Sequence, residues 1–494
     1  MGLFHRKECK WEGVSVLERY KRFTLIELLV AILSSGPMAI QGMPQQRPNV
    51  VFILADDLGI GGLNCYGTDW LETPNIDRLC AAGLKCTGGL APFPVCAPSR
   101  AVTLTGQYAP RTGLYRVADR HAGLEDKIRF IVPANGHVSP DISLINKPFK
   151  EAGYATAMYG KWHISPEKKQ GMHPVDYGFD DAVVSAGRHY QAETTPRVDI
   201  PEGITVEEVL TDRAINFMEN AVGKQHPFFL YMPYFWIHRP LEADPRMVAY
   251  FEKKLQGREF IGKHPQEIPI LAAMTRMLDT QIGRLLGTLD ALGVTENTIV
   301  VFSSDNGSFN ENMVGPYRGK KGDTYDGGMR VPYIFKWPGH IGAGSTTDER
   351  FMGVDLYPTL ISLAGLRKPD DHILDGIDLS PLLLGTIDRL PQRELYCFYP
   401  KYAQFNNKTQ RWSASWRNVI YQGNYKLIEY PEYEYEEIFN LAADPFEKED
   451  IVTKAPDTRN ILVETLHRWL DEVKAPLLTP NPDYSLEDQT DEDF

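Results

Sequence analysis

Excess positive charge is what this chain most plainly lacks. Its 52 lysines and arginines are outnumbered by 65 aspartates and glutamates, for a formal net charge of -13. That balance excludes a surface built for nucleic acid, although a local cationic pocket for a small anion can sit within it. Much of the acidity is local, in Glu429 to Glu437 and Glu487 to Asp493, which read as solvated surface. Cysteine is scarce too, and six in 494 residues do not make a disulfide scaffold. Cys9 lies in an N-terminal leader and Cys96 in a motif. Cys65, Cys80, Cys86 and Cys397 could form up to two bridges in an oxidising compartment, or none. Long apolar runs are also missing. The N-terminal stretch Phe23 to Leu33 is too short to span a bilayer comfortably, and no short-period repeat stands out.

What is present suits a large soluble core, with 43% hydrophobic residues and a length that allows about two or three domains. Lys21-Arg22, the apolar run after them, and the small residues from Ser34 to Ala39 read as an export signal. Phe23 to Leu29 also resembles a prepilin-like segment, with Glu27 at its fifth position, but Arg22 stands where a glycine normally precedes the cut. Residues 1–46 are therefore expected to engage export machinery, giving an exported, periplasmic, cell-surface or secreted protein of a bacterium.

Four apolar segments end in chemically distinctive residues. Asn49 to Ala55 delivers Asp56-Asp57, and Tyr154 to Tyr159 delivers Gly160-Lys161-Trp162-His163. Phe228 to Phe235 is followed by His238, and Thr298 to Ser304 delivers Asp305-Asn306. Near-continuous Val, Ile, Leu and Phe mark buried strands of a parallel sheet, and ligands collect at the carboxyl ends of such strands. Helical spacing over Val206 to Ala221 and Leu271 to Leu289 supplies covering helices. The fold class is thus α/β: a large, mostly parallel sheet sandwiched by helices over residues 47–390. A polar stretch from Gly385 to Arg393 marks a boundary. Beyond it, 391–494 reads as a small α+β domain with an antiparallel sheet, a closing helix over Leu462 to Val473, and an acidic tail.

The adjacent carboxylates Asp56-Asp57 and the carboxylate-amide pair Asp305-Asn306, each at a strand end, form oxygen-ligand pairs suited to a hard cation. Lys321, in the glycine-flanked run Arg318 to Gly322, adds a mobile positive charge. The stretch Cys96-Ala97-Pro98-Ser99-Arg100 to Thr105-Gly106 is the most specific feature. Ser99 is placed to cap a following helix, and Arg100 favours an anion beside Cys96. The polar loop from Gly171 to Pro201 carries Arg188 and His189, candidates for substrate specificity.

Taken in this order, these residues resemble the sulfatase family of the alkaline-phosphatase-like superfamily, from about Asn49 to Ile451. Gly423 to Ile428, Phe439 to Leu441 and Asp444-Pro445 resemble its C-terminal part. The resemblance implies that Cys96 is converted to formylglycine (3-oxoalanine) by a maturation enzyme that reads Cys96, Pro98 and Arg100. The aldehyde hydrates to a diol, and a sulfated diol can expel sulfate with its second hydroxyl, which a sulfated serine cannot do. By the same carry-over, Asp56, Asp57, Asp305, Asn306 and the modified Cys96 would bind one Ca2+. Arg100 would hold the hydrated aldehyde, while Lys161 and Lys321 neutralise sulfate oxygens. His238 would protonate the leaving alcohol, and His163 would take the diol proton. The implied activity is sulfuric ester hydrolysis, on a sulfated saccharide given the exported location and polar loops. A phosphonate or phosphate ester hydrolase of the same superfamily is the enzymatic alternative. A non-catalytic sulfated-glycan-binding protein is the other, and it should have lost one of these residues. None is missing.

Overall fold

The computed structural model describes residues 47–480 except 116, 118–127, 131–135, 167, 171, 401–402, 407–410, 415 and 477. The expected leader, with Cys9, and the acidic tail lie outside these residues. The first apolar run forms strand β1 (Asn49–Ala55), and all seven of its residues are buried. Burial on both faces explains why the run shows no polar alternation. Val50, Phe52 and Leu54 enter one core with Phe149, Phe229 and Leu360. Val51, Ile53 and Ala55 point the other way, into a core with Leu210, Met218 and Leu285.

Eight further strands complete this sheet. They are β2 (Leu84–Cys86), β3 (Ala155–Gly160), β4 (Asp181–Ser185), β5 (Thr194–Thr195), β6 (Phe228–Pro233), β7 (Thr298–Ser304), β8 (Tyr333–Lys336) and β9 (Ser345–Thr347). Their order across the sheet is β9-β2-β8-β7-β1-β6-β3-β4-β5. The five central strands run parallel, with β1 paired to β7 through Asn49–Thr298 and to β6 through Val50–Phe229. Only β8 and β5 run against them. Because β1, β3, β6 and β7 share one direction, the segments that follow them emerge at the same edge of the sheet.

Helices cover both faces, as expected. One face carries α3 (Val206–Gly223) and α4 (Ile268–Ala291), whose apolar stripes join the second core. Thr205 and Glu208 form a capping box that fixes the start of α3. The other face carries α2 (Cys96–Thr105) and α5 (Leu356–Leu363); α1 (Pro74–Ala81) packs beside α4. The short edge strands were not legible in the sequence, because three-residue strands carry too little periodicity.

A four-stranded antiparallel sheet follows, formed by β10 (Glu394–Tyr399), β11 (Arg417–Gln422), β12 (Tyr425–Tyr430) and β13 (Tyr435–Asn440). Its closing helix α6 (Pro456–Glu472) begins earlier than Leu462, since its first turns are polar and show no apolar repeat. Leu395, Val419 and Leu427 pack with Leu466 and Trp469 of α6, and also with Phe93, Val95 and Val102 around the start of α2. The small sheet therefore buttresses the Cys96 segment directly. A buried ion cluster fastens it further: Lys426 of β12 pairs with Asp326 at 2.9 Å and with Glu447, and Asp326 also holds Arg330. The described cysteines Cys65, Cys80, Cys86, Cys96 and Cys397 are all unbridged. No helix among the described residues is long and apolar enough to cross a membrane.

Candidate active site

The strand ends converge as anticipated. Asp57 N donates to Asp305 Oδ1 at 3.2 Å, and Asn306 Nδ2 donates to Asp57 Oδ1 at 2.8 Å, joining Asp56-Asp57 to Asp305-Asn306 across the ends of β1 and β7. Lys161, just past β3, forms an ion pair with Asp56. His238 places Nε2 3.8 Å from Asp57 Oδ2. The loop carrying Lys321 folds back so that its Nζ lies 2.7 Å from Asp57 Oδ1. Glycine permits that return. A Cβ at Gly307 would sit 2.0 Å from the carbonyl oxygen of Gly327, while Gly307 N donates to Gly328 O at 2.9 Å. Lys321 N donates to Ser308 O at 2.8 Å, and Gly322 N to Pro94 O at 2.9 Å, which binds the lysine loop to the Cys96 segment.

Cys96 is the first residue of α2, with Val95 as its N-cap, and is 1% exposed. This corrects the expected role of Ser99. The helix starts three residues before it, because Pro98 is tolerated within a first turn. Ser99 instead donates its hydroxyl to the Asp305 backbone carbonyl, which ties α2 to the end of β7. Arg100 is fully buried. Its Nε donates to Asp305 Oδ2 at 2.8 Å, and its Nη1 to the Lys161 carbonyl at 2.8 Å. Burial opposes the guanidinium charge, but Asp305 and Asp56 outweigh it and keep the group charged.

The electrostatics have a gap. Burial raises the Asp56 carboxyl above its ordinary range despite Lys161, and raises Asp305 to about 6. At Asp57 burial is outweighed by Lys321 and His238, and the carboxyl is held well below its ordinary range. Asp56 Oδ1 and Asn306 Oδ1 are buried without a hydrogen-bond partner. Buried acceptors left bare among clustered carboxylates are what an oxygen-binding cation would satisfy. Ligand atoms of Asp56, Cys96 and Asp305 lie within 4.8 Å of one another, as do those of Asp56, Asp57 and His238. Asp57 and His163 both adopt φ of 63°. Left-handed backbone at non-glycine residues costs on the order of 1–3 kcal/mol and persists where the surroundings hold it, which is common at functional sites.

Burial together with Lys161 and Arg100 pushes His163 well below its ordinary value, and its Nδ1 is buried without a partner. Burial and Lys161 likewise push His238 down to about 3. His238 Nδ1 donates to the Arg239 carbonyl at 2.6 Å, so Nε2 is the atom that faces the carboxylates and remains free for proton transfer.

A profile of the sulfatase family matches residues 48–366, and one described as N-sulphoglucosamine sulphohydrolase, C-terminal, matches 320–476. The chain belongs to the sulfatase family. It is 33% identical to the N-acetylgalactosamine-6-sulfatase of Rattus norvegicus over 395 residues, 74% of this chain and 71% of the relative. Among solved structures it is similar to Ps i-CgsB in complex with k-i-k-neocarrahexaose. That match has a TM-score of 0.73 and 27% identity, and covers 86% of this chain and 93% of the other. It shares its fold with the phosphonate monoester hydrolase of Agrobacterium radiobacter, at a TM-score of 0.64 and 20% identity, covering 88% of this chain and all of that one. The protein is thus a sulfuric ester hydrolase of alkaline-phosphatase-like fold.

The two specificity candidates of this sulfatase separate. Arg188 has a side chain 63% exposed and pairs with Glu242 at 3.0 Å. His189 is fully buried, which corrects the expectation that it reads substrate from a surface loop. Its ring meets Glu207 and the His238 carbonyl instead. Sequence reasoning missed Glu207 and Glu242, which lie far from any motif and gain meaning only through contacts across the fold.

Proposed function

We propose that this sulfatase is an exported, formylglycine-dependent and Ca2+-binding enzyme that removes sulfate esters from a sulfated carbohydrate. The observation that carries the reading is the pair of bare acceptors, Asp56 Oδ1 and Asn306 Oδ1, at carboxylates grouped with Cys96. Asp56, Asp57, Asp305, Asn306 and the oxidised residue 96 would hold the metal. Arg100, Lys161 and Lys321 balance Asp56, Asp57 and Asp305 in formal charge, so a bound dication makes the site net positive toward an anionic ester. Ca2+ supplies charge withdrawal from sulfate oxygens, and the hydrated aldehyde supplies a nucleophilic hydroxyl with a second one for release.

The remaining work falls to side chains already in place. Arg100, locked by Asp305 and the Lys161 carbonyl, orients residue 96 at the head of α2. Lys161 and Lys321 stand at opposite carboxylates, Asp56 and Asp57, where they can neutralise sulfate oxygens as charge shifts to the leaving group. His238, charged when an anionic sulfate ester lies against it, would give its Nε2 proton to the leaving alcohol while Nδ1 stays on the Arg239 carbonyl, and His163 would accept a proton through a nitrogen that no protein group occupies. The carbohydrate substrate is supported by the names of the similar N-acetylgalactosamine-6-sulfatase and of the carrahexaose-bound structure.

Peptide mass spectrometry across Cys96 after native expression tests the modification; unmodified cysteine alone would revive the glycan-binding alternative. Comparing kcat/KM for matched aryl sulfate and aryl phosphate esters tests the reaction class, and a strong phosphate preference refutes it. A panel of defined sulfated saccharides tests the substrate class. No turnover of any saccharide alongside robust aryl sulfate turnover would remove the carbohydrate assignment.

A further inference from the structure

Beneath the loop that carries His238 lies a buried pair that no step above uses. His189 is fully buried, and Glu207, in the first turn of α3, is 1% exposed. His189 Nε2 is 3.1 Å from the backbone carbonyl of His238, and its Nδ1 is in hydrogen-bond contact with Glu207 Oε1. A carbonyl can only accept, so Nε2 must carry a proton. A carboxylate oxygen facing Nδ1 then requires a second proton on that axis, because two lone pairs would otherwise oppose each other. With the shared proton on the ring, the arrangement is an imidazolium held against a carboxylate. Burial disfavours that charge, but Glu207 and the His238 carbonyl outweigh it and raise the imidazole above its ordinary value.

The pair is fixed from the other side as well. Glu242 Oε2 accepts from His189 N at 2.9 Å and from Tyr190 N at 3.3 Å, and Val206 N donates to the His189 carbonyl at 2.8 Å. The Phe235 ring packs against both imidazoles, tilted on His189 and stacked on His238, with centroids 4.9 Å from each. The His238 backbone and ring are thus both referred to His189, and the one free nitrogen of His238 faces the carboxylate site.

We propose that His189, paired with Glu207, is a positioning residue for His238: it anchors the His238 carbonyl so that Nε2 is aimed at the leaving-group oxygen. The proposal rests on His238 being the proton donor to the leaving alcohol. A displaced donor harms the reaction in proportion to how much the leaving group needs a proton. The pair therefore governs turnover of alcohol esters, such as those of sugars, more than turnover of activated aryl esters.

The experiment uses the matured, Ca2+-loaded enzyme with 4-nitrophenyl sulfate, whose leaving group needs little help, and phenyl sulfate, whose phenol has a pKa of about 10. His189→Ala is expected to lower kcat for phenyl sulfate by about 10- to 100-fold more than for 4-nitrophenyl sulfate. KM should change little for either. His238→Ala should show the same bias more strongly, and the double variant should be no worse than His238→Ala alone. Glu207→Gln, which keeps a hydrogen bond but not the charge, should fall between wild type and His189→Ala in the same bias. Equal losses on both substrates for His189→Ala and Glu207→Gln, with the bias kept in His238→Ala, would overturn the positioning role. Additive losses in the double variant would overturn it also. A His238→Ala enzyme without leaving-group bias would instead remove the acid role of His238, and this inference with it.

Discussion

Replacing Lys426 by methionine should loosen the small sheet from the catalytic loop, and the loss should deepen as pH rises. Lys426 is fully buried between Asp326 and Glu447, which are themselves fully buried. Methionine keeps the volume and removes the charge. Asp326 retains Arg330 at 2.6 Å and Tyr421 Oη at 2.9 Å, so its charge stays compensated. Glu447 Oε1 loses its cation, and Oε2 keeps only the Asp326 backbone N–H at 2.7 Å. Removing one partner of a buried pair costs about 3–5 kcal/mol. The sign of the pH dependence follows from Glu447. Burial raises its carboxyl from an ordinary 4.5 to about 7 even with Lys426 present. A raised carboxyl binds its proton on folding, so its contribution is full below 4.5 and is lost as pH climbs through about 7. Without Lys426 the carboxyl moves higher still. The variant should therefore lose about 1.4 kcal/mol more for each pH unit above 7 until the new value is reached. Urea unfolding of both proteins at pH 6 and pH 8 measures this as a drop in midpoint at constant slope. Adding Glu447→Gln should restore most of the loss at pH 8. A variant within about 1 kcal/mol of wild type at pH 8, or one hurt more at pH 6 than at pH 8, would refute the reasoning.

Three further outcomes follow from the site. Added Ca2+ should raise the melting temperature of wild type by mass action, equivalent to about 2.7 kcal/mol at a hundredfold excess over Kd. Asn306→Ala should abolish most of that shift, and an unchanged shift would place the ion elsewhere. Arg188→Ala should alter preference among sulfated saccharides while leaving 4-nitrophenyl sulfate turnover near wild type. Its stability should change by less than about 1 kcal/mol, since the Arg188–Glu242 pair is solvent-facing on the arginine side; equal loss on saccharide and aryl esters would make that loop structural. Ser99→Ala should cost about 1–2 kcal/mol in unfolding measurements, because it strands the buried Asp305 carbonyl. A neutral result there would mean that α2 is tied to β7 by Arg100 alone.

The central strands and the residues at their ends were legible in the sequence for one physical reason. A parallel strand buried on both faces must be apolar throughout, so the first polar residues after it mark the sheet edge. Asp56, Lys161 and Asp305 stand at such transitions, and the structure brings all three around Arg100. The edge strands gave no such signal, and neither did the side of the loop on which His189 falls. Loop sequence is polar whether a residue faces solvent or plugs the floor beneath a catalytic segment. The contacts that decide between these cases join residues 18 apart for His189 and Glu207, and 49 apart for His189 and His238.

That asymmetry bears on how the site is built. The motif residues supply charge and ligands, and they are recognisable because the chemistry restricts their identity. The residues that aim them, His189 under His238 and Lys426 behind Asp326, are ordinary in type and act through backbone or through other side chains. Rigidity in this site comes from buried charge, not from apolar packing alone: both supports are ion pairs away from solvent, where leaving one partner alone is costly. A substitution that keeps volume but not charge is then more damaging at these two positions than one that keeps charge at the expense of fit. His189→Lys, which preserves a cation against Glu207, should accordingly retain more phenyl sulfate turnover than His189→Phe, which preserves only the ring. The reverse order would mean that packing against Phe235 governs His238, with the charge incidental.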